Sequence, residues 1–281
     1  GSPGNGNDQG PMQAESNNIP LSATDVGEGL PLVFLHGFPL HRGAWQMQID
    51  ALRSTFRVIA PDLRGFGESQ TRPGPATVPI AAADVHALLQ RLLTGPVVLI
   101  GHSMGGYVAL AFAFQFPEML RGLVLVGTKA GPDTAEAAAG RRATAEKVKA
   151  EGVQVVVEAM APKMLAAGNQ DLRMVERVRG IMNSSTTQGV IGALLGMAER
   201  PDSTGLLAQI AVPTLVVTGE DDTVIPPTES EKLARAIAGA QLKRIPHAGH
   251  LVAFEQPEEF NRLLVDWLNR TGLASMPSTS S

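Results

Sequence analysis

The sequence has no cysteine and few aromatic residues. Cysteine is absent from all 281 residues, which excludes disulfide bonds and thiolate catalysis and leaves only histidine and carboxylates as zinc ligands. Aromatic residues make up 4% of the chain. No segment approaches the ~18 consecutive apolar residues that span a bilayer, and residues 1–18 contain no apolar signal-peptide segment. We therefore expect a soluble, cytoplasmic protein that does not bind a membrane.

The sequence also lacks a concentrated basic surface. The formal net charge is -4, and the densest basic group includes Lys147 and Lys149, which alternate with Glu146 and Glu151. A face of mixed sign has no net field to attract phosphate, so it predicts a solvated helix surface and no nucleic-acid partner. Hydrophobic residues make up 44% of the chain, which is enough for a sizeable core.

Short apolar runs alternate with helical patterns between two polar ends. The polar ends, residues 1–18 and 271–281, predict a disordered and a flexible tail. Runs that are apolar without alternation occur at residues 32–35, 58–60, 97–100, 123–126 and 215–217. Such runs are typical of parallel strands that helices cover on both faces. The pattern predicts a doubly wound α/β core with a mostly parallel sheet, formed by residues 19–128 and 210–270.

The alternation is interrupted after the strand at residues 122–127. Helical patterns fill residues 135–150, 153–166, 172–182 and 187–199. We expect this segment, residues 129–209, to be a helical cap (a lid) over the carboxyl ends of the strands, where ligands bind in such sheets. The cap holds five of the ten methionines and no Phe, Trp or Tyr.

The strongest motif is GHSMGG at residues 101–106, which matches G-x-S-x-G. An apolar strand pattern precedes it and a helical pattern follows it. A nucleophile on a sharp strand-to-helix turn needs small neighbours, and Gly101 and Gly105 supply them. The motif therefore predicts Ser103 as a nucleophile. The alternative is an ordinary turn in which Ser103 caps the helix.

Serine needs a general base, and the base needs an acid to orient it. In this architecture the chain order is Ser, acid, His, so only His247 and His250 lie far enough downstream of Ser103. We expect His250 to be the base, with His247 as the alternative. The acid should follow the strand at residues 215–217, where Glu220, Asp221 and Asp222 are adjacent. Asp222 is the best candidate, and we expect the other two to lie in a solvated turn.

A tetrahedral oxyanion needs two donors. The backbone N–H of Met104, which follows the nucleophile, is one candidate. The loop HGFP at residues 36–39 supplies the other, for which we choose the Phe38 N–H. The segment DLRGFGES at residues 62–69 predicts a turn beside this loop; Asp62 lies upstream of Ser103 and is assigned a structural role.

Five motifs follow one another along the chain. With HGFP, DLRGFGES, GHSMGG, GxxD at 219–222 and HxGH at 247–250, the sequence resembles the α/β-hydrolase superfamily, specifically its small bacterial serine hydrolases. The resemblance covers about residues 19–268. It implies Ser103 as nucleophile, Asp222 as acid, His250 as base, and Phe38 and Met104 as oxyanion donors. Dehalogenases and epoxide hydrolases of similar sequence place Asp at the elbow, so Ser103 argues against them.

We expect a carboxylesterase that cleaves small-molecule esters through an acyl-enzyme on Ser103, without a metal or organic cofactor. Substrate-binding candidates are Trp45 and Tyr107 from the core and Met160 and Met164 from the cap. A cap without aromatic residues predicts a preference for short to medium aliphatic acyl groups, although the methionines could equally be helix core. Lactonase, carbon–carbon bond hydrolase, cofactor-free perhydrolase and a non-catalytic ligand-binding receptor remain alternatives. The sequence does not indicate the oligomeric state.

Overall fold

The protein is a seven-stranded sheet covered by helices, described by a computed structural model for residues 18–275. The strands are β1 (Ala23–Val26), β2 (Pro31–Leu35), β3 (Arg57–Pro61), β4 (Val97–His102), β5 (Leu120–Val126), β6 (Thr214–Gly219) and β7 (Gln241–Ile245). Their order across the sheet is β1-β3-β2-β4-β5-β6-β7. β1 pairs antiparallel with β3, and all the other pairs are parallel. The predicted mostly parallel, doubly wound α/β sheet is confirmed.

The helices lie on both faces of this sheet. They are α1 (Gln46–Leu52), α2 (Val78–Arg91), α3 (Met104–Gln115), α4 (Ala135–Glu151), α5 (Gln154–Met164), α6 (Leu172–Asn183), α7 (Thr187–Ala198), α8 (Pro227–Ala236), α9 (Val252–Glu255) and α10 (Pro257–Arg270). Every residue of β2, β4 and β6 is buried, which explains why these strands are apolar runs without alternation. Among residues 18–275, no helix is both long and apolar enough to cross a membrane.

Helices α4 to α7 connect β5 to β6, where the sequence predicted the cap. Three of these helices have an N-terminal side-chain cap. Thr134, Asp171 and Thr186 each accept a hydrogen bond from a backbone N–H in the first turn. These helices contact loops that follow the core strands. Ser185 Oγ donates to the Pro39 carbonyl at 3.1 Å, and Leu251 N–H donates to the Met164 carbonyl at 2.8 Å.

The ends of the chain differ from the sequence-based prediction in one respect. Residues 1–17 and 276–281, most of the two predicted tails, lie outside the described residues. Residues 271–275, predicted to be flexible, are instead packed. Leu273 is 3% exposed and belongs to the apolar cluster around Trp267, while Thr271 Oγ1 donates to the Trp267 carbonyl at 2.8 Å. An apolar contact at Leu273 holds this segment to the core.

Candidate active site

Ser103 lies on a sharp turn between β4 and α3. Its φ of 53° and ψ of −115° place a non-glycine residue in a strained backbone region, and strain of this kind concentrates at functional sites. Close packing holds the turn, because a Cβ on Gly105 would lie 2.3 Å from the Leu35 carbonyl oxygen. Thr128 Oγ1 also donates to the Ser103 carbonyl at 2.8 Å. The Ser103 side chain makes no capping hydrogen bond to α3, so the capping-serine alternative is wrong.

His250 and Asp222 form a buried pair. His250 Nδ1 lies 2.9 Å from Asp222 Oδ2, and both side chains are almost inaccessible to solvent. A carboxylate accepts, so Nδ1 carries the proton and Nε2 keeps its lone pair. His247, the alternative base, and Glu220 and Asp221, the alternative acids, are all exposed. The structure therefore brings together the two residues that the sequence favoured.

His102 fixes the backbone of His250. The two rings are 4.7 Å apart, and His102 Nε2 donates to the His250 carbonyl at 2.8 Å. Complete burial is the main cause that holds the pKa of His102 well below its ordinary value. A neutral His102 with its proton on Nε2 is therefore a structural support for His250. No role was predicted for this histidine from the sequence, although it directly precedes Ser103.

The loop that holds Phe38 packs against the end of β4. A Cβ on Gly37 would lie 2.9 Å from His102 Nδ1, so only glycine permits this approach to the residue before Ser103. The Phe38–Pro39 peptide is cis, and the Phe38 ring packs edge-on against Phe66. Met104 is the first residue of α3, so its N–H has no acceptor within the helix.

His36 joins the Phe38 loop to the segment at residues 62–69. Its Nδ1 donates to the Gly37 carbonyl at 2.8 Å, and its Nε2 accepts from Leu63 N–H at 2.9 Å. Asp62 Oδ1 accepts from Arg42 N–H at 2.8 Å, which closes the neighbouring turn. This arrangement agrees with the structural role predicted for Asp62, because its carboxylate is occupied by backbone and Arg42.

A buried carboxylate that the sequence analysis missed, Glu255, lies behind His250. It accepts hydrogen bonds from Gly249 N–H at 2.7 Å, from Ala166 N–H at 2.9 Å and from Asn169 Nδ2 at 2.7 Å. It therefore joins the loop before His250 to the segment that follows α5. One available signal was an acidic residue that directly follows the apolar run at residues 251–254.

The predicted substrate-binding residues do not form one group. Trp45 is 3% exposed and packs on Phe34, 5.0 Å between ring centroids, so the structure places it in the core below His102. Met164 is completely buried among apolar residues of the cap and core, so it too is a packing residue. Met160 is partly buried beside the same cluster. Tyr107 lies one turn after Ser103 and lines a separate cavity with Arg200.

No group of three or more His, Asp and Glu side chains within residues 18–275 is arranged to hold a metal ion. Ser103, Asp222 and His250 follow the carboxyl ends of β4, β6 and β7. These three strands present their following loops at one edge of the sheet, which is where open α/β sheets bind ligands.

Known proteins with related sequences and structures include esterases and lactonases. A thermophilic esterase from Thermogutta terrifontis, solved with malate bound, is 46% identical, has a TM-score of 0.88, and aligns over 90% of this chain and 94% of its own. The enol-lactonase from Burkholderia xenovorans LB400 is 26% identical with a TM-score of 0.84, over 90% of this chain and 98% of its own. The 3-oxoadipate enol-lactonase 2 of Acinetobacter baylyi is 28% identical over 82% of this chain and 85% of its own.

The family model described as the alpha/beta hydrolase fold matches residues 31–257. This range includes Ser103, Asp222, His250 and all six parallel strands. The chain therefore belongs to the α/β hydrolase fold family, and it is a hydrolase.

Proposed function

We propose that this hydrolase cleaves carboxylic esters through an acyl-enzyme on Ser103. The observation that carries the proposal is the 2.9 Å contact of His250 Nδ1 with Asp222 Oδ2, which leaves Nε2 as the base. The Ser103 hydroxyl, on its strained turn, is not used to cap α3. Acyl transfer of this kind requires a nucleophile, a base and an acid, and Ser103, His250 and Asp222 would supply them.

In the first half-reaction Ser103 Oγ attacks the ester carbonyl while His250 Nε2 takes the hydroxyl proton. The tetrahedral oxyanion accepts hydrogen bonds from the backbone N–H groups of Met104 and Phe38. Asp222 stabilises the imidazolium that forms. Collapse of the intermediate breaks the bond to the alcohol oxygen, which leaves with the proton from Nε2, and the acyl group stays on Ser103.

In the second half-reaction water replaces the alcohol. His250 Nε2 removes one proton from water as its oxygen attacks the acyl carbonyl, and the same oxyanion donors act again. The second intermediate breaks its bond to Ser103 Oγ, which recovers the proton from His250. The products are the free carboxylic acid and the unmodified enzyme.

We further propose that the preferred acyl groups are short to medium aliphatic chains. A mostly apolar wall lies beside Met104 and includes Phe66, Val108, Ala193 and Met197. Ala193 and Met197 come from α7, so the cap contributes to this wall. Methionine side chains adapt to flexible aliphatic ligands, which favours aliphatic acyl groups at this wall. Faster turnover of benzoate than of butyrate esters would contradict this preference.

Hydrolysis of p-nitrophenyl butyrate by the wild type, Ser103→Ala and Ser184→Ala tests the proposal. Ser184 is exposed in the turn after α6 and is the matched control. We expect Ser103→Ala to lower kcat by at least about 10³-fold, because loss of the nucleophile removes the covalent route. Ser184→Ala should keep wild-type activity. Equal activity in all three proteins, with unchanged circular dichroism, would refute a Ser103 acyl-enzyme.

Lactone opening is the second candidate, favoured by the two enol-lactonase relatives. The same triad would open a cyclic ester, and the alcohol would stay attached to the acyl group. Parallel assays with p-nitrophenyl butyrate and γ-butyrolactone distinguish the two, since a lactonase turns over the lactone with the higher kcat/KM. Carbon–carbon bond hydrolysis and peracid formation remain alternatives on the same residues, and a substrate panel separates them.

A further inference from the structure

A second cavity lies beside the outer face of α3, away from the candidate triad. Its volume is about 180 Å³. Most of its wall is apolar. Residues of the wall include Tyr107, Leu110, Phe114, Lys129, Arg200 and Leu206. Ser103, Asp222 and His250 do not line it. The cavity is therefore a separate space, one helical turn beyond the elbow.

One end of the cavity carries a lysine without a counter-charge. Lys129 is half-buried, and no carboxylate within residues 18–275 lies within 4.0 Å of its ammonium group. Burial is the main cause that lowers the pKa of Lys129, and the positive charge of Arg200 lowers it further. An ammonium group that is partly withdrawn from water and has no direct counter-charge favours a ligand that supplies the opposite charge.

Arg200 is a rigid part of the same wall. Its side chain is 3% exposed, and Nη1 donates to Asp133 Oδ1 at 2.7 Å and to the Met197 carbonyl at 3.0 Å. The guanidinium carbon lies 4.1 Å from the centre of the Tyr107 ring. These contacts fix Arg200, so its charge adds to that of Lys129 without movement of the side chain.

The nearby carboxylates are engaged elsewhere. Asp133 is shared, because it also accepts from Arg141 Nε at 2.6 Å. Asp202 at the cavity rim accepts from Thr204 N–H at 2.9 Å within its own turn. Glu229, which also acts on Lys129 through its charge, pairs with Lys232 at 3.1 Å. The charge of Lys129 is therefore not neutralised by a direct partner in the described chain.

We propose that this cavity binds a small amphipathic carboxylate, with its anion on Lys129 and its hydrocarbon chain along Leu110, Phe114 and Leu206. The size follows from the volume, because an apolar cavity of about 150 Å³ holds a benzene molecule. A straight-chain acid of about six carbons is only slightly larger. The site goes beyond the proposed ester hydrolysis, because it uses none of the triad residues.

The single tyrosine of the chain allows a direct test that does not depend on activity. Tyr107 is that tyrosine, so 3-fluorotyrosine gives one ¹⁹F resonance in the cavity wall. We would titrate the Ser103→Ala protein with sodium hexanoate and, separately, with hexan-1-ol. The expected result is a saturable shift with hexanoate and at least about tenfold weaker binding of the uncharged alcohol, because a hydrogen bond to a charged group is lost.

Two further variants locate the bound ligand. Lys129→Met should weaken hexanoate binding at least about tenfold, whereas Lys147→Met, an exposed lysine of α4, should leave it unchanged. Ala111→Phe fills the cavity from α3 and should abolish the shift. Hexanoate at the triad would be insensitive to both cavity variants. Absence of a saturable shift, or binding that persists in both variants, would overturn the proposal.

Discussion

The two carboxylate oxygens of Asp222 have different partners. Oδ2 faces His250 Nδ1, while Oδ1 accepts from Val224 N–H at 2.9 Å and from Ile225 N–H at 3.0 Å. The turn after β6 therefore orients the carboxylate before any substrate arrives. This fixes the His250 tautomer, since the proton on Nδ1 points at a single acceptor.

Asp222→Asn tests whether that orientation matters. The amide oxygen can still accept from the turn, but its NH₂ group would face Nδ1 and favour the wrong tautomer. We expect kcat for p-nitrophenyl butyrate to fall about 10⁴-fold with little change in thermal stability. Asp221→Asn, at the exposed neighbouring carboxylate, is the control and should retain full activity. Equal losses in both variants would show that Asp222 is not the acid.

His36 is neutral in the folded protein because it is buried. Burial is the largest effect and lowers the pKa of His36 to about 4, although its hydrogen bond to Gly37 and the charge of Asp62 act in the opposite direction. In the unfolded chain the pKa is near 6.5. Between these two values the unfolded state binds more protons, so the free energy of unfolding falls as the pH decreases.

This effect lowers the free energy of unfolding by about 2 kcal/mol at pH 5 relative to pH 7.5. We would measure the free energy of unfolding in urea at pH 7.5 and at pH 5. Between these two pH values we expect it to fall by about 2 kcal/mol less in His36→Asn than in the wild type, whatever the stability of the variant at pH 7.5. His102 and His41 are present in both proteins, and burial is the main cause that lowers the pKa of each. The exposed His247→Asn is the control. An unchanged pH dependence in His36→Asn would contradict a neutral, buried His36.

At the level of elements, α9 connects the cap to the loop that holds His250. Glu255 is the last residue of α9 and is 5% exposed. Its three donors lie on Gly249, Ala166 and Asn169, so one carboxylate stabilises two segments far apart in sequence. Because Gly249 directly precedes His250, we infer that Glu255 is a positioning residue.

Glu255→Gln should separate this role from general stability. The glutamine NH₂ group would face N–H donors, which leaves buried donors unpaired at about 1–3 kcal/mol. We expect a lower Tm and a lower kcat with a nearly unchanged KM, together with faster amide exchange at Gly249 and Ala166. The exposed Glu258→Gln on α10 is the control. A lower Tm with normal kcat and normal exchange at Gly249 would restrict Glu255 to a structural role.

Most elements could be predicted from the sequence, because burial on both faces leaves an unbroken apolar run. β1 could not, because it is an edge strand with mixed burial and the residues Ala-Thr-Asp-Val. The chain also forms a separate 3-10 turn at Arg42–Trp45 before α1. There the His41 ring accepts from Gly43 N–H, a local contact that periodicity does not encode.

At the scale of the whole molecule, the sheet separates two apolar clusters. One surrounds α2, α3 and parts of the cap, and the other surrounds α1 and α10. Trp45 belongs to the second cluster, below β2 and β4. Sequence pattern identifies a buried aromatic residue but not the side of the sheet on which it lies, so the position of Trp45 could not be predicted. Met164 belongs to a third cluster, which also contains Leu251 and Phe254, and sequence pattern does not distinguish a methionine that packs there from one that faces a ligand.

The three candidate site residues were easier to predict from the sequence than the residues that hold them in place. Ser103, Asp222 and His250 each follow a parallel strand, so the topology alone brings their loops to one edge of the sheet. His102 and Glu255 act through contacts between segments that are about 90 to 150 residues apart. Such contacts depend on the packed cap and core, and no local motif encodes them.

The proposed reaction transfers an acyl group to Ser103. The most direct measurement is the intact mass of the protein after acid quench during turnover of p-nitrophenyl butyrate, followed by peptide mapping. We predict a mass increase of one butyryl group on the peptide that contains Ser103, absent in Ser103→Ala and accumulated in His250→Asn if slow acylation still occurs. Steady turnover of the ester with the acyl group on another residue would contradict the claim.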